Sequence, residues 1–561
     1  MALLRNRRFR QVKTISLQEV LASPPAKLDR EKNLTRVENE EFDIAIIGGG
    51  ATGCGAALDA ASRELKVVLL EKEDFSSGTS SRSSKMPHGG VRYLEQAVKT
   101  LNYGILKLVY EALHERRHFF KNAPHLSEPM ALVTPCYNWF QLFYLAIGLK
   151  LYEWLAGRDG LPGCKILWKR RLLERYPMIN ALGLKGGVQY YDGRFDDSRM
   201  NLGLAMTAHE KGAVILNHIQ TVGFSKNDKD KITSIKAIDT ITKKEIVIRA
   251  KTFINATGPF CDVIRKMADP DCKPLLTLSS GAHIVLDTHF PAPRAGILIP
   301  KTVDGRVLFI LPFRGHTLIG TTDNPAELSD NPKATKKDVE FILNQAAPYY
   351  ARPPQLSNVI AEWSGLRPLV SNPESDSTSS LSRDHTILMS DSGLISITGG
   401  KWTTYRLMAK DVVDKAISAS SIFTQFECHT DHLVLVGAKK YTKELPAFLQ
   451  KEYNLPSDIA SYLSHAYGDQ SPHVVKLMHE GCTERLHPRY PFLEAEVLFG
   501  ARFESARTVI DVLARRIRLG FIDLAATREV ITKVAGFMAR ELNWDKEKTV
   551  KEIAEAEQYF S

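Results

Sequence analysis

Gly48, Gly50 and Gly53 fall in the spacing G-x-G-x-x-G within EFDIAIIGGGATGCGAALDAASRELKVVLLE, residues 41–71. Each glycine has its own task. The first permits a tight turn, the second lets a pyrophosphate approach the backbone, and the third lets a helix pack against a strand. Glu71 then ends the next apolar run, at the offset where a carboxylate takes ribose hydroxyls. Two later stretches also bring backbone close to a ligand: TFINATGP (252–259) and LISITGGKWTTYR (394–406). A helix beginning after the second, with Lys401 beside it, suits the flavin N1–C2=O edge, where negative charge builds on reduction. The pair favours FAD over a nicotinamide, with two ordinary strand-to-helix turns as the alternative.

These groups need particular elements to hold them. Phe42 to Ile47 reads as a buried parallel strand, Ala51 to Glu64 as the helix that follows it, and Lys66 to Leu70 as the next strand. Residues 274–323 hold short β-rich runs (HIVL, GILIP, VLFILPF, TLIGTT) between Gly, Pro and Asp turn signals. Residues 525–541 place Val530, Ile531, Val534, Phe537 and Met538 on one helical face. Between the dinucleotide unit and these β-runs lies SSRSSKMPHGGVRYL, Ser80 to Leu94. Its composition is that of a turn, but its place directly after the first βαβ unit makes it a candidate crevice wall.

At 561 residues the chain exceeds one core, so two to four domains are expected. The net charge is +10, and residues 1–36, with nine Lys/Arg and three acids, account for +6 of it. The rest is mildly basic, without the basic stripe and stacking aromatics of a nucleic-acid surface. Seven scattered cysteines form neither a disulfide framework nor a metal-ligand cluster, so no metal is expected. The first residues carry five Lys/Arg before Glu19, as either an organellar transit segment or a basic arm. No secretory apolar core follows.

The motifs FDIAIIGGGATG, FSSGTSSRSSK, HGGVRYL, YYDGRFDDSRMNL, INATGPF, GTTD, WSGLRPL, GGKWTTYR, YPFLEAEVLFG, DVLARRIRLGF and ELNWD run in order over residues 42 to about 545. In them the chain resembles the FAD-dependent glycerol-3-phosphate dehydrogenases, most closely the mitochondrial, quinone-reducing branch. That resemblance implies an α/β fold: a Rossmann-type FAD-binding domain, an antiparallel β-sheet substrate domain and a C-terminal α-helical domain. The expected boundaries are 1–40 for the basic arm and 41–120, 180–265 and 356–420 for the FAD domain. The substrate domain takes 121–179 and 266–355, and the helical domain 437–555. No EF-hand loop is present: Asn227-Asp-Lys-Asp lacks the glycine and terminal glutamate, so calcium activation is not expected.

The resemblance also implies the reaction: oxidation of sn-glycerol 3-phosphate to dihydroxyacetone phosphate, by hydride transfer from C2 to flavin N5. Planar arginine forks suit the substrate phosphate, and Arg92, Arg367 and Arg383 stand in matching motifs, with Tyr93, Thr321 and Lys401 beside the substrate. The implied FAD contacts from the first unit are Gly48, Gly50, Ala51, Thr52, Gly53, Glu71 and Lys72. The following loop adds Thr79, Ser80, Ser81, Ser84, Lys85, His88, Gly89 and Gly90. The later turns add Thr257, Gly258, Gly400, Lys401, Trp402 and Thr403. His283 in SGAHIVL is the first choice of base, since imidazole titrates near neutrality. Arg367 and His88 compete for that role, and a satisfied core histidine is the alternative. Met86-Pro87 departs from the aliphatic pair more usual before this histidine.

YNWFQLFYLAIGLKLYEWL (137–155) holds seven aromatics, and KILWKRRLLERYP (165–177) follows with five Lys/Arg. The run is short for a span and reads equally as a helix on an anionic membrane surface or as a buried helix. The implied acceptor is ubiquinone in the mitochondrial inner membrane, with a bacterial cytoplasmic membrane or the cytosol as other locations and a homodimer as one assembly. The alternative is a glycerol-3-phosphate oxidase that passes electrons to O2 and makes hydrogen peroxide.

Overall fold

Burial on both faces shapes the first unit. The strand Glu41–Ile47 has Phe42, Ile44, Ala45 and Ile46 wholly buried, which is why it reads as a nearly continuous apolar run. It pairs in parallel with Val67–Leu70 on one side and Glu245–Asn255 on the other. The helix Ala51–Ser62 crosses between the first two strands, and its alanines and glycines let it lie close to the sheet. The computed structural model describes residues 23–157, 160–290, 293, 295–370 and 385–561, without the side chain of Arg92. Arg383 lies outside the described residues.

Two sheets form the body. The first runs His385–Met389, Leu394–Gly399, Glu245–Asn255, Glu41–Ile47, Val67–Leu70, Val214–Leu216, extended by the hairpin Ile219–Lys226 and Ile232–Asp239. The second has nine strands, and its neighbours are antiparallel except Gly296–Ile299 beside Ser127–Cys136. Near one end of it, Leu276–Leu286 is flanked by His316–Gly320 and Val359–Val370.

The domain boundaries read from sequence move at two places. Gly186–Phe195 and Val359–Val370, expected within the FAD unit, both pair in the second sheet. Gly186–Phe195 leads into the helix Asp197–Glu210, packed with the first sheet, and strand alternation carries no mark of which sheet a strand joins.

The C-terminal helices, including Ser457–Tyr467, Glu494–Phe503 and Leu524–Leu542, pack on the second sheet around Leu311, Leu318 and Trp363. Val530, Ile531, Val534, Phe537 and Met538 are all buried on the helical face expected for them. This region also grips the first domain through buried charge. Arg516 donates to both carboxylate oxygens of Asp74, at 2.6 and 3.0 Å, and to the carbonyl of Glu504. Arg199 forks onto the carboxylate of Glu504 at 2.7 and 2.8 Å. Arg518 donates to the Ser81 carbonyl, and Arg82 donates to the hydroxyl of Tyr559.

Candidate functional site

A cleft opens at the carboxyl ends of the first sheet's strands, where open α/β sheets place their ligands. Its walls come from the glycine turn, from Glu71 to Glu73, from Ser77 to Ser80, and from the turns around Gly258 and Gly400. Gly48 has φ +110°, and a Cβ there would lie 2.6 Å from the Ala256 carbonyl oxygen. At Gly53 a Cβ would lie 1.9 Å from the Gly48 carbonyl oxygen. A Cβ on Gly50 would meet only the Ser80 hydroxyl, so the backbone faces the cleft with room for a ligand. Gly48 and Gly53 thus serve the turn and the close packing their spacing implied, and Gly50 leaves room where a ligand is expected.

This cleft fits FAD by its own chemistry. The helix Ala51–Ser62 points its N-terminal turn at it with no acidic residue in that turn, favourable for a pyrophosphate. Glu71 accepts from the backbone N–H groups of Gly49 (2.6 Å) and Glu73 (3.0 Å), which fixes the carboxylate at the rim. Burial raises its pKa, and the two N–H bonds oppose that rise. Gly53→Ala is expected to cost FAD affinity by about 5- to 150-fold, from roughly 1–3 kcal/mol of overpacking at the turn. Flavin absorbance retained on purification checks it.

Most of the FAD contacts implied by sequence line this cleft: Gly48, Gly50, Ala51, Thr52, Glu71, Lys72, Thr79, Ser80, Thr257, Gly258, Gly400, Lys401 and Trp402. Ser80 accepts from the Ala51 N–H at 2.9 Å, and the Trp402 indole N–H donates to the Ser80 carbonyl at 2.8 Å. Thr403 stands behind the wall, its hydroxyl accepting from the His88 N–H at 3.1 Å. The Gly89 N–H donates to the Tyr152 hydroxyl at 2.7 Å, and Gly90, at φ +82°, begins the next helix.

Three residues of the serine-rich loop sit elsewhere. Ser81 is buried, and its carbonyl accepts from Lys85 and Arg518. Lys85 is buried and bonds Asp197 at 2.7 Å, the Ser81 carbonyl at 2.8 Å and the Ser83 carbonyl at 3.0 Å. Its three protons are thereby used, so it does not reach FAD phosphates. Burial pushes its pKa down to about 7, against the opposing pull of Asp197. Ser84 turns to the second sheet, where its hydroxyl lies 2.9 Å from His283 Nε2.

The second wall is the face of the strand pair Leu276–Leu286 and Val359–Val370. Register places Ser279 opposite Arg367, Gly281 opposite Gly365, and His283 opposite Trp363, all on one face. Arg367 donates to the Thr321 hydroxyl (3.1 Å) and the Thr322 carbonyl (3.0 Å), and pairs with Asp323 at 3.3 Å. A Cβ on Gly281 would lie 2.2 Å from the Arg367 guanidinium, so that glycine is what lets the arginine lie flat. His283 stacks on Trp363 with centroids 4.2 Å apart. Burial, then the charges of Lys85 and Arg367, hold its pKa well below the usual imidazole value. A neutral imidazole is the state that accepts a proton.

The two walls meet. Pro368, next to Arg367, lines the first cleft, and the Leu366 carbonyl accepts from Thr79. Lys401 stands 3.9 Å over the ring of Tyr93. His283, Thr321 and Arg367 are therefore brought together, as are Lys401 and Tyr93. Arg92 lies in the first turn of the helix Val91–Thr100. His88 sits 6.5 Å from the Phe309 ring.

Trp363, Asp197 and Arg518 are the participants that sequence reasoning missed. Trp363 was legible, since period two from Arg367 puts it on the same face. Asp197 follows the N-cap Asp196, a position that by itself signals only helix initiation. Among the described residues no group of His, Cys, Asp and Glu could hold a metal ion.

Residues 43–406 match the family model described as FAD dependent oxidoreductase, and residues 428–549 match the C-terminal domain of alpha-glycerophosphate oxidase. The probable mitochondrial glycerol-3-phosphate dehydrogenase of Dictyostelium discoideum is 44% identical, over 98% of this chain and 90% of its own. The mitochondrial glycerol-3-phosphate dehydrogenase of Rattus norvegicus is 42% identical, over 97% of this chain and 76% of its own. The solved structure of the glycerol-3-phosphate dehydrogenase from Bacillus halodurans, complexed with FAD, is similar with TM-score 0.77 and 30% identity, covering 95% of this chain and 97% of that one. With an FAD cleft and a cationic second wall on one molecule, and these relatives matching nearly its whole length, the chain belongs to the FAD-dependent glycerol-3-phosphate dehydrogenases.

Proposed function

We propose that the protein oxidises sn-glycerol 3-phosphate to dihydroxyacetone phosphate and passes the electrons to ubiquinone at the mitochondrial inner membrane. The observation that carries the substrate reading is the convergence of Arg367, Thr321 and His283 on one sheet face, against the wall of the FAD cleft. When bound, FAD supplies the acceptor for the hydride that leaves C2. Arg367 forks onto the phosphate and Thr321 bonds the substrate, with Arg92 and Arg383 as the further cations that the family resemblance implies. His283 takes the C2 hydroxyl proton. Lys401, beside Tyr93, lies at the cofactor edge where negative charge grows.

The acceptor reading rests on an apolar surface. No helix among the described residues is long and apolar enough to cross a membrane. The helix Trp139–Leu155 instead buries only Leu142, Leu149 and Tyr152 and exposes Trp139, Phe140, Phe143, Ile147 and Trp154. Trp168 adds to this surface 6.3 Å from Trp139, followed by the exposed Lys169, Arg170 and Arg171. Aromatics beside cations suit the headgroup region of an anionic bilayer. The triple variant Trp139→Ser, Phe140→Ser, Trp154→Ser is expected to weaken binding to anionic vesicles by about tenfold per residue or more. Turnover with a water-soluble dye should stay unchanged, and vesicle co-sedimentation with a dye assay checks both.

Anaerobic addition of glycerol 3-phosphate tests the function as a whole. The flavin should bleach and then recolour on adding a short-chain quinone. A flavin that stays oxidised overturns the proposal. Oxygen uptake at the turnover rate without quinone replaces the dehydrogenase with the oxidase reading.

A further inference from the structure

His283 is hemmed in by groups that oppose a lasting positive charge. Lys85 faces it from the serine-rich loop and Arg367 from the neighbouring strand, each cation held by its own carboxylate, Asp197 and Asp323. Trp363 covers one ring face, and the adjoining strand contributes only the bare Gly320. A proton taken here must leave before the next substrate arrives.

The exit is visible at Nε2. Nδ1 has no hydrogen-bond partner among the described residues, whereas Nε2 lies 2.9 Å from the Ser84 hydroxyl. A Cβ on Gly320 would stand 2.7 Å from Nε2, so glycine there is what lets the strand before Thr321 pack against this side of the ring. Ser84 also lines a second cleft, of about 1240 Å³, between the second sheet and the C-terminal helices. That cleft is walled by Asp196, Arg314, Arg518 and Tyr462 and is separate from the FAD cleft. Ser84 thus bonds the ring and also stands in the wall of a wide cleft that carries charged side chains.

We propose that Ser84 relays the substrate proton from His283 Nε2 into this second cleft, away from the flavin. The relay rests on the function proposed above. In the resting site the Ser84 hydroxyl donates to Nε2. As the C2 hydride leaves, the C2 hydroxyl proton moves to Nε2, and Ser84 turns to accept from the new N–H, since a hydroxyl serves in either sense. Nε2 then gives that proton to Ser84 Oγ, while the hydroxyl's own proton passes to water in the cleft. Both groups return to their starting state, so one proton leaves per turnover and no ring flip is needed. Ser84 acts through His283 and is a positioning and relay residue.

Ser84→Ala and Ser84→Thr in the full holoenzyme test the relay, with retained FAD as the check on folding. The alanine variant should lose about 30-fold in steady-state turnover and show a larger solvent isotope effect. Millimolar imidazole, small enough to enter the cleft, should recover about fivefold of that loss. The threonine variant should return to within about threefold of the parent enzyme. Equal losses in both variants, or an alanine variant indifferent to imidazole and to D2O, make Ser84 a packing residue and overturn the relay. A parent enzyme whose flavin is not reduced by glycerol 3-phosphate overturns the proposed function and the relay together, a failure distinct from the first.

Discussion

Arg367→Ala should lower kcat/KM for glycerol 3-phosphate by about 1000-fold, or ~4 kcal/mol of lost transition-state binding. The size follows from what the guanidinium does. A charge-assisted fork onto a phosphate contributes about 1.5–3 kcal/mol per bond, and truncating one partner of a desolvated pair also strands the other. Here the group left behind is Asp323, buried and 3.3 Å from the guanidinium, with Arg306 at 3.6 Å as its more distant partner. Arg367→Lys should recover little, because an ammonium cannot reach the Thr321 hydroxyl and the Thr322 carbonyl while presenting a planar fork. FAD should remain bound in both variants, since Arg367 itself does not line the FAD cleft. Stopped-flow bleaching against substrate concentration separates the binding loss from the rate loss. Near-parental bleaching in the alanine variant removes Arg367 from the site.

Arg516→Leu carries the second large expectation, a loss of about 3–5 kcal/mol of stability from breaking a buried ion pair. Arg516 and Asp74 are both at most 1% exposed, so the carboxylate left behind has no water to solvate it. Asn217 still donates to Asp74, at 2.9 Å, but one neutral bond does not replace a bidentate charged one. The loop that carries Asp74 runs from Glu71 to the Ser80 wall, so FAD retention should fall along with the denaturant midpoint. The double variant Asp74→Asn, Arg516→Leu should recover most of the loss, because it removes the stranded charge. A denaturant series on the single and double variants with FAD release as second probe checks the cycle. Equal stabilities across all of them mean that the pair is not what docks the C-terminal helices.

How much of this was legible depends on the range of the interaction. The glycine turn was readable because its three roles are local: turn, approach and packing lie within a few residues. His283, Thr321 and Arg367 were each named from separate motifs, and strand register is what brings them together. Period two alone would have added Trp363. Lys85 misled, since a lysine in a serine-rich loop suggests phosphate, and only the tertiary structure supplies Asp197, which with two carbonyls of its own loop uses up its protons. The motif DVLARRIRLGF was noticed as a resemblance but not understood. A run with three arginines usually lies on a solvated face, yet Arg515, Arg516 and Arg518 are each at most 3% exposed. Beside local partners, Arg516 and Arg518 reach Asp74 and the Ser81 carbonyl in the first domain, hundreds of residues earlier, and no spacing rule reaches that far. The Trp139–Leu155 helix was left undecided for the opposite reason. Its composition fits a buried or a membrane-facing helix equally, and only exposure distinguishes them.

The grip of the C-terminal region on the first domain also sets an order of events during synthesis. The glycine turn and Glu71 leave the ribosome early, but Asp74 waits for Arg516, Ser81 for Arg518, and Arg82 for the Tyr559 hydroxyl. Until those late residues emerge, the loop that walls the flavin is a half-built cradle carrying uncompensated charge. Cofactor capture is therefore a late step, and a ribosome stalled before Arg516 holds a chain that cannot keep its flavin.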